Sequence, residues 1–322
     1  MDKKNENPVK KWQITIFIIF LTLLIIAGGY TYYVSEQTHI RKEKHQEIMA
    51  VSRLKIEQIV QWLKERKSEA EFFSNNPTLM HNTGIILQNK DDKNGISYLT
   101  SRLEPILRNH FYENIFITDL SGKVFFSLRP LVEEVDSNTL HFIKLSASKK
   151  QILNTDFYYC TKHGKIHFDN VAPIIDETGN AIATLIFRVD PSEFLFPMIQ
   201  SWPTPSYSAE TVIIKDDGEN VLFLNQLRHV KNSNLSFRIS KSKAEVPAVK
   251  AVSGYEGIFE GIDYRGTEVL SDIRRVPNTP WFMITKIDKE EIYSELQFRG
   301  IVIILFTCLL IISIGFVLGW YY

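Results

Sequence analysis

One short stretch of the chain carries side chains that could hold a metal ion. The segment CTKHGKIHFD offers a thiol, two imidazoles and a carboxylate, from Cys160, His163, His167 and Asp169. Thiolate and imidazole are ligands that zinc prefers in proteins. Gly164 predicts the tip of a β-hairpin between the two histidines, so these residues would not share one face of a helix. We therefore expect no metal site here.

The chain lacks the short motifs that mark several common catalytic chemistries. The patterns G-x-x-x-x-G-K-[ST], G-x-S-x-G and H-E-x-x-H do not occur in it. These patterns mark phosphate loops, hydrolase nucleophile elbows and zinc proteases. We expect no catalytic residues, no cofactor and no enzymatic activity in this chain.

The same stretch, interpreted as strands, predicts a polar face on a sheet. If His163 and Gly164 form a two-residue turn, Tyr158 lies opposite Asp169 and Cys160 lies opposite His167. If the sequence ETGN forms the next loop, Asp169 also lies opposite Arg188. One face then carries polar side chains, from Asp156, Tyr158, His167, Asp169 and Arg188. The other face carries side chains that can pack on a helix, from Phe157, Tyr159, Phe168, Leu185 and Phe187.

Two interpretations of this polar face are open. Asp169 and Arg188 could form a solvated ion pair across the strands, which contributes at most about 1 kcal/mol. Alternatively, the irregular segment 129–151 could cover the face, and burial of Arg and Asp would then favour an anionic or zwitterionic ligand that both bind. The candidate ligand-binding residues are Arg129, Asp156, Tyr158, His167, Asp169 and Arg188.

A repeated junction indicates that the sheet occurs twice. RVDPSEF, which contains Asp190, and KIDKEEI, which contains Asp288, each follow an apolar run typical of a strand. Each aspartate could cap a helix while Glu193 or Glu291 reaches back to the N–H of the capping residue. FITDLSGKVFF and VIIKDDGENVLFL likewise resemble each other as hairpins. The spacing predicts a duplicated domain of about one hundred residues.

Two apolar runs without charge, Trp12 to Ser35 and Gly300 to Tyr322, are each long enough to cross a bilayer as a helix. A cleaved signal peptide is the alternative for the first run, but its apolar stretch continues through YTYYV, which favours an anchor. Lysines in the short tail before Trp12 favour a cytoplasmic N-terminus in the cell membrane. Residues 36–298 would then lie outside the cytoplasm. That location, with 37 basic against 37 acidic residues, excludes nucleic acid as a partner.

Just outside the membrane, residues 36–75 contain neither proline nor glycine, and NNP at 75–77 predicts the end of a helix. Apolar residues recur there at helical spacing, which suits either a coiled-coil stalk or a spine against which a sheet packs. After a second helical pattern, strands are predicted near 114–120, 123–128, 152–160, 165–175 and 181–190. This order is that of an α+β, PAS-like module, and 209–288 repeat it in shorter form.

These patterns divide the chain into eight segments. They are a cytoplasmic tail at 1–11, a transmembrane helix at 12–35, a long helix at 36–76, a membrane-distal PAS-like module at 77–190, a connecting helix and linker at 191–208, a membrane-proximal PAS-like module at 209–288, a juxtamembrane helix at 289–299 and a second transmembrane helix at 300–322. Asp288 to Arg299 should form a helix that continues into the second span.

Four short segments in the second half of the chain resemble a known family. QSWPTPSYSAET, VLFLNQLRH, YRGTEVL and VPNTPWFMITKID are similar to the double Cache domains of bacterial sensor histidine kinases and related receptors. The resemblance implies a long N-terminal helix, a distal module that holds the ligand and a proximal module that passes the signal on. The amino-acid-binding branch of the family has a signature of Tyr, Arg, Trp, Tyr and Asp. FFSLRPLVEEV supplies Arg129 without the accompanying Trp, so the resemblance does not imply an amino-acid ligand.

Together these features predict the small-molecule input region of a transmembrane receptor. We expect it to belong to a sensor histidine kinase, to form a homodimer and to contact membrane lipid. The alternatives are the input region of a diguanylate cyclase or chemoreceptor, a membrane-anchored extracytoplasmic enzyme, or a stalk that only promotes dimerisation. The sequence ends at Tyr322 without a kinase core or cyclase domain, and we expect it to be part of a longer receptor, the alternative being a natural short form that signals through partners.

Overall fold

The computed structural model describes residues 8–321 apart from 110, 131–134 and 162. The predicted tail at 1–11 therefore lies largely outside the described residues. The chain begins with one continuous helix, α1 (Pro8–Ser74), in which the first apolar run and the long helix are joined. Helix α1 ends just before Asn76, whose side chain accepts from Leu79 N at 2.9 Å and caps the next helix. The predicted end of the long helix is confirmed.

The distal module is an antiparallel sheet between helices. Its elements are α2 (Pro77–Gln88), α3 (Lys93–Asn109), β1 (Tyr112–Thr118), β2 (Val124–Ser127), α4 (Ser137–Lys149), β3 (Leu153–Asn154), β4 (Tyr158–Cys160), β5 (Lys165–Ile175) and β6 (Ala181–Val189). The strands follow the order β2-β1-β6-β5-β3, with β4 also paired to β5.

The proximal module repeats this order strand for strand. Its elements are α5 (Leu195–Gln200), β7 (Glu210–Asp217), β8 (Asn220–Phe223), β9 (Arg238–Ser240), α6 (Pro247–Val252), β10 (Gly257–Ile262), β11 (Glu268–Arg275) and β12 (Trp281–Asp288). The run β8-β7-β12-β11-β10 matches β2-β1-β6-β5-β3, with β9 added at the edge. The α+β fold class and the duplication are confirmed.

Helix α1 is the spine of both sheets. One side of it is buried through Ile48, Val51, Ile59, Trp62 and Ala70. The helix lies against β5 and β6 in the distal module and against β11 and β12 in the proximal module. Apolar residues at helical spacing produce this continuous contact because they fall on one face. The sequence suits both a stalk and a spine, which are compatible, and these contacts show that α1 serves as a spine.

The two modules share one apolar core. Trp281 of β12 is 2% exposed and its ring stacks on Phe157 of the distal module with centroids 4.4 Å apart. The same cluster contains Ile213 and Met283 of the proximal sheet together with Phe168 and Phe187 of the distal sheet. Aromatic pairs of this kind stabilise beyond their buried area.

One predicted strand register is wrong. Tyr158 lies opposite His167, and Cys160 opposite Lys165, so Tyr158 is not opposite Asp169. Strand β4 ends at Cys160 and β5 begins at Lys165, and Gly164 N donates to Cys160 O at 2.9 Å, so the connection is longer than the predicted two residues. Side chains alternate along a strand, so a shift by an even number of residues leaves each side chain on its predicted face.

The predicted capping boxes are also wrong in detail. Asp190 Oδ1 accepts from Ser192 N at 2.9 Å, but the next helix begins later, at Leu195. Asp288 leads directly into α7 (Lys289–Tyr321), yet its N–H donates to Ser208 Oγ at 3.0 Å and not to Glu291. At this junction Ser208, from the linker before β7, therefore takes the place predicted for Glu291.

Within the described part of the chain, two helices are long and apolar enough to cross a membrane, α1 near its N-terminal end and α7. The predicted continuity of the juxtamembrane segment with the second apolar run is confirmed, because α7 is unbroken. The two helices lie side by side where they leave the modules, and Arg299 Nη1 is 2.6 Å from Glu36 Oε1. Their exposed side chains in the apolar runs are almost all hydrophobic, which suits a lipid environment.

Candidate ligand-binding site

The centre of the candidate site is an ion pair between neighbouring strands. Asp169 on β5 lies opposite Arg188 on β6, as predicted. Arg188 Nε donates to Asp169 Oδ1 at 2.9 Å, and Nη2 donates to Oδ2 at 2.8 Å. Two parallel bonds between a guanidinium and a carboxylate form the strongest geometry for such a pair. Asp169 is 0% exposed and Arg188 is 4% exposed, so the pair is buried and not solvated.

Tyr158 completes the centre of the cluster. Its hydroxyl donates to Asp169 Oδ2 at 2.7 Å and accepts from Arg188 Nη2 at 2.9 Å. The Arg188 guanidinium also lies over the ring of Phe116, 5.0 Å from its centroid. Every charge in this cluster therefore has a partner, as a buried ion pair requires.

Helix α4 covers the cluster with its N-terminal end. Thr139 Oγ1 lies 2.9 Å from Asp169 Oδ2 and 2.8 Å from Asp136 Oδ2, and its single proton can serve one of them at a time. Asp136 caps α4 by accepting from Asn138 N and Thr139 N. Its Oδ2 is also 3.9 Å from Arg188 Nη2. Arg188 thus faces two carboxylates.

The covering segment differs from the irregular roof that the sequence predicts. Much of 129–151 is the regular helix α4, which packs Ile143 against Phe116, Val171 and Ile186 on the same sheet face. The capping pattern that starts this helix, an aspartate followed three residues later by a threonine, was present in the sequence. Asp136 and Thr139 are the members of the cluster that the sequence-based site omitted.

Burial and charge act in opposite directions on the groups of this cluster. Burial opposes ionisation of Asp169, but Arg188 and the hydroxyl of Tyr158 outweigh it and lower the pKa of the carboxyl below its ordinary value. Burial, followed by the charge of Asp169, raises the pKa of Tyr158. Burial also opposes the charge on Arg188, but Asp169 raises the pKa of the guanidinium. The cluster is thus an ionised pair with a neutral phenol.

The remaining predicted site residues lie elsewhere. His167 is on the same face as Asp169, but its close neighbour is Glu113, with Oε2 2.8 Å from Nε2. Asp156 faces the other module, where it accepts from Lys215 Nζ at 2.5 Å and from Trp281 Nε1 at 2.8 Å. Arg129 is exposed, and its backbone N–H donates to Asn114 Oδ1 at 3.1 Å. The structure therefore brings Tyr158, Asp169 and Arg188 together and places the other three predicted residues outside their cluster.

The proximal module carries a cation at the position that corresponds to Arg188. Lys286 lies two residues before Asp288, as Arg188 lies two residues before Asp190. Lys286 is 2% exposed, lies 2.9 Å from Glu210 Oε2 and also donates to Asp263. Beside Glu210 is an open cavity of about 760 Å³ whose lining includes Trp202, Gln226 and Arg228. The two modules therefore share a buried cation but differ in what surrounds it.

Comparison with known proteins defines the fold. No protein-family model and no curated protein matches the chain. Among solved structures, the ligand-binding domain of the amino acid chemoreceptor PctB of Pseudomonas aeruginosa, in complex with L-Arg, is similar at 14% identity. Its TM-score is 0.56, and the match covers 79% of this chain and 92% of that chain.

Two further solved structures show the same similarity. The ligand-binding domain of the chemoreceptor CtaA of Pseudomonas fluorescens, in complex with L-serine, has 15% identity, a TM-score of 0.53 and coverage of 78% of this chain and 99% of that chain. The extracellular domain of a protein described as a histidine kinase has 15% identity, a TM-score of 0.51 and coverage of 79% and 98%. This chain therefore shares its fold with these ligand-binding and extracellular domains.

Proposed function

We propose that this chain is the extracytoplasmic small-molecule sensor region of a bacterial transmembrane receptor. The observation that carries the proposal is the buried cluster of Arg188, Asp169 and Tyr158 beneath the start of α4, in a module with the fold of ligand-binding domains. A buried ion pair needs well-placed partners to offset the hydration that both charges lose, and apolar side chains at the same positions are often as stable. Stability alone therefore does not account for such a pair. A cluster of this kind on a sheet face is therefore a reason to look for a ligand.

The ligand class follows from the charges of the pair. A carboxylate on the ligand would bind Arg188, and an ammonium group would bind Asp169, so one zwitterion can replace both halves of the internal pair. The domains of similar fold were solved with L-Arg, L-serine and, in PctC of Pseudomonas aeruginosa, GABA. Those ligands all carry both groups, which supports a zwitterionic or anionic ligand for this chain.

The remaining parts of the proposal concern the membrane and the output. Helices α1 and α7 would cross the cell membrane, with 36–298 outside the cytoplasm. The chain would act as a homodimer in contact with lipid and without nucleic acid. It would have no enzymatic activity of its own and would pass a ligand-induced change from β12 into α7. A histidine kinase is the proposed output, with a diguanylate cyclase or a chemoreceptor as alternatives.

Thermal unfolding of the full chain in lipid nanodiscs tests the ligand class. We expect at least one of L-arginine, L-glutamine, L-serine, L-leucine and GABA to raise the melting temperature in a saturable way, because a ligand that binds only the folded state stabilises it. Butyrate and butylamine, which carry one charge each, should bind at least about tenfold more weakly, the factor that about 1.4 kcal/mol gives.

Two variants then locate the site. Arg188→Lys and Asp169→Asn should each weaken the active ligand by about tenfold or more, since each removes one charge-assisted contact. The matched controls are Arg238→Lys and Asp217→Asn, which alter an exposed ion pair of the proximal module. If both site variants bind the ligand as tightly as the parent does, the pocket lies elsewhere.

Turnover distinguishes the sensor from the membrane-anchored enzyme. Chemical conversion of the ligand, measured by NMR, would favour the enzyme, and binding without conversion favours the sensor.

A further inference from the structure

A second cluster of chemically reactive side chains lies at the end of the distal sheet. Cys160 ends β4, His163 lies in the turn and His167 lies on β5. The thiol sulfur and one nitrogen of each imidazole all lie within 4.8 Å of one another. Cys160 Sγ is 3.3 Å from His163 Nδ1. The pairing of β4 with β5 brings the three residues together although they share no helix.

His167 is the most unusual member of this cluster. Its side chain is 0% exposed, yet its Nδ1 has no hydrogen-bond partner. Glu113 Oε2 lies 2.8 Å from Nε2 and pairs with this nitrogen, which leaves Nδ1 as the buried atom without a partner. A buried polar group without a partner costs about 1–3 kcal/mol, so such a group calls for an explanation.

We propose that Cys160, His163 and His167 bind a divalent transition-metal ion of the zinc class. Zinc bonds of about 2.3 Å to sulfur and about 2.0 Å to nitrogen place tetrahedral ligand atoms about 3.5 Å apart. The distance from the thiol sulfur to His163 Nδ1 already matches that separation. The upper limit of 4.8 Å on the other separations requires only small side-chain movements. Binding would form a bond from the metal to the sulfur and release the thiol proton to solvent.

The ligand set selects the class of metal. A thiolate and two imidazoles are soft or intermediate ligands, which favour zinc, cobalt and copper over calcium and magnesium. Glu113 is placed to accept a hydrogen bond from one nitrogen of His167 while the other nitrogen binds the metal, the usual arrangement of a carboxylate behind a metal-bound histidine. Lys165 lies 3.5 Å from Glu113 and 3.3 Å from Asp190, so its charge is already balanced by two carboxylates.

This proposal goes beyond the sensor function, because the metal site uses none of the atoms of the Arg188 and Asp169 pair. It also departs from the expectation that a hairpin would separate the histidines. The sequence argument considered one face of a helix, whereas the connection between β4 and β5 places the ring of His163 5.2 Å from that of His167. A bound metal would join β4, β5 and their turn.

Cobalt absorption tests the site in the full chain. The protein in nanodiscs is freed of metal with a chelator and titrated with Co²⁺ alone. We expect a sulfur-to-cobalt charge-transfer band and strong visible bands of tetrahedral cobalt, at one ion per chain. Added Zn²⁺ should abolish both. The absence of these bands in the folded parent would overturn the proposal.

Variants assign the ligands. Cys160→Ser should abolish the charge-transfer band, and His163→Gln should weaken cobalt binding at least about tenfold. The controls are Cys308→Ser, at the other cysteine on α7, and His81→Gln, at an exposed histidine of α2; both should bind as the parent does. A band that survives Cys160→Ser, or that is lost in Cys308→Ser, would contradict the assignment. Circular dichroism verifies that each variant is folded.

Discussion

The backbone N–H of Ser208 donates a 2.9 Å hydrogen bond to Oε2 of Glu291. The Ser208 hydroxyl donates to the same oxygen and accepts from the N–H of Asp288 at 3.0 Å. The linker that enters the proximal module is thereby tied to the first turn of α7, the helix that leaves it. We expect a displacement of the linker to reach α7 through these three bonds.

Ser208→Ala should loosen this joint. The substitution removes the hydroxyl bonds to Glu291 and Asp288 but keeps the backbone bond, and a hydrogen bond to a charged group contributes about 1.5–3 kcal/mol. We expect faster amide hydrogen exchange in the first turn of α7, measured by mass spectrometry on the chain in nanodiscs. Ser236→Ala, at an exposed serine, is the control. Unchanged exchange in Ser208→Ala would mean that the helix start is held by other contacts.

Asp169→Asn should be far more destabilising than its surface counterpart. Removing one partner of a buried ion pair leaves Arg188 with only Asp136 Oδ2, 3.9 Å from Nη2, and costs about 3–5 kcal/mol. Asp217→Asn alters a pair with Arg238 that is 38% exposed on the carboxylate side, where the cost is at most about 1 kcal/mol. The free energy of unfolding from urea titration gives both values. Similar losses in the two variants would show that the buried pair is compensated in another way.

Trp281→Ala should weaken the connection between the two modules. The substitution removes the ring that stacks on Phe157 and the indole N–H that donates to Asp156, at a cost of about 3–5 kcal/mol. The shared core should then melt in two steps, one for each module, in differential scanning calorimetry. Tyr207→Ala, at a side chain that is 62% exposed, should melt as the parent does. A single transition in Trp281→Ala would indicate that α1 alone couples the modules.

The stability of the proximal module should depend on acid through Asp263. Burial opposes ionisation of Asp263, but Lys286 and then Arg265 outweigh it and lower the pKa of this carboxyl below its ordinary value of 3.8. Because the pKa is lowered in the folded state, the carboxylate stabilises that state fully above its ordinary value of 3.8. This contribution is lost as the pH falls through the folded pKa.

Comparison of the parent with Asp263→Asn measures this contribution. The difference in the free energy of unfolding should be constant from pH 7 to the ordinary value of 3.8 and should shrink at lower pH. Asp216→Asn, at a half-exposed carboxylate paired with Lys241, is the control and should change little. A difference that shrinks well above pH 3.8 would mean that the pKa of Asp263 is not lowered.

Much of the fold was accessible from local sequence signals. The pairing of Asp169 with Arg188 was predicted because the loop between β5 and β6 is short, and a short turn fixes the register of both strands. The stop at NNP fixed the end of α1, because the asparagine caps α2 and proline occupies its first turn. The repeated junction indicated two modules because each copy carries the same strand exit. These features depend on residues close together in the chain.

Tertiary structure decided the contacts between residues that are distant in the sequence. Asp156 lies within the predicted strand 152–160 but contacts Lys215 and Trp281, which no local pattern could assign to it. Helix α4 covers Asp169 through Thr139, and a helix start signal does not say which surface the helix will meet. The turn before β5 is longer than two residues, and its exact length decides whether His163 meets Cys160. Sequence determines local geometry because turns and caps act over a few residues. Contacts across the sheet and between modules form only when distant segments of the chain come together.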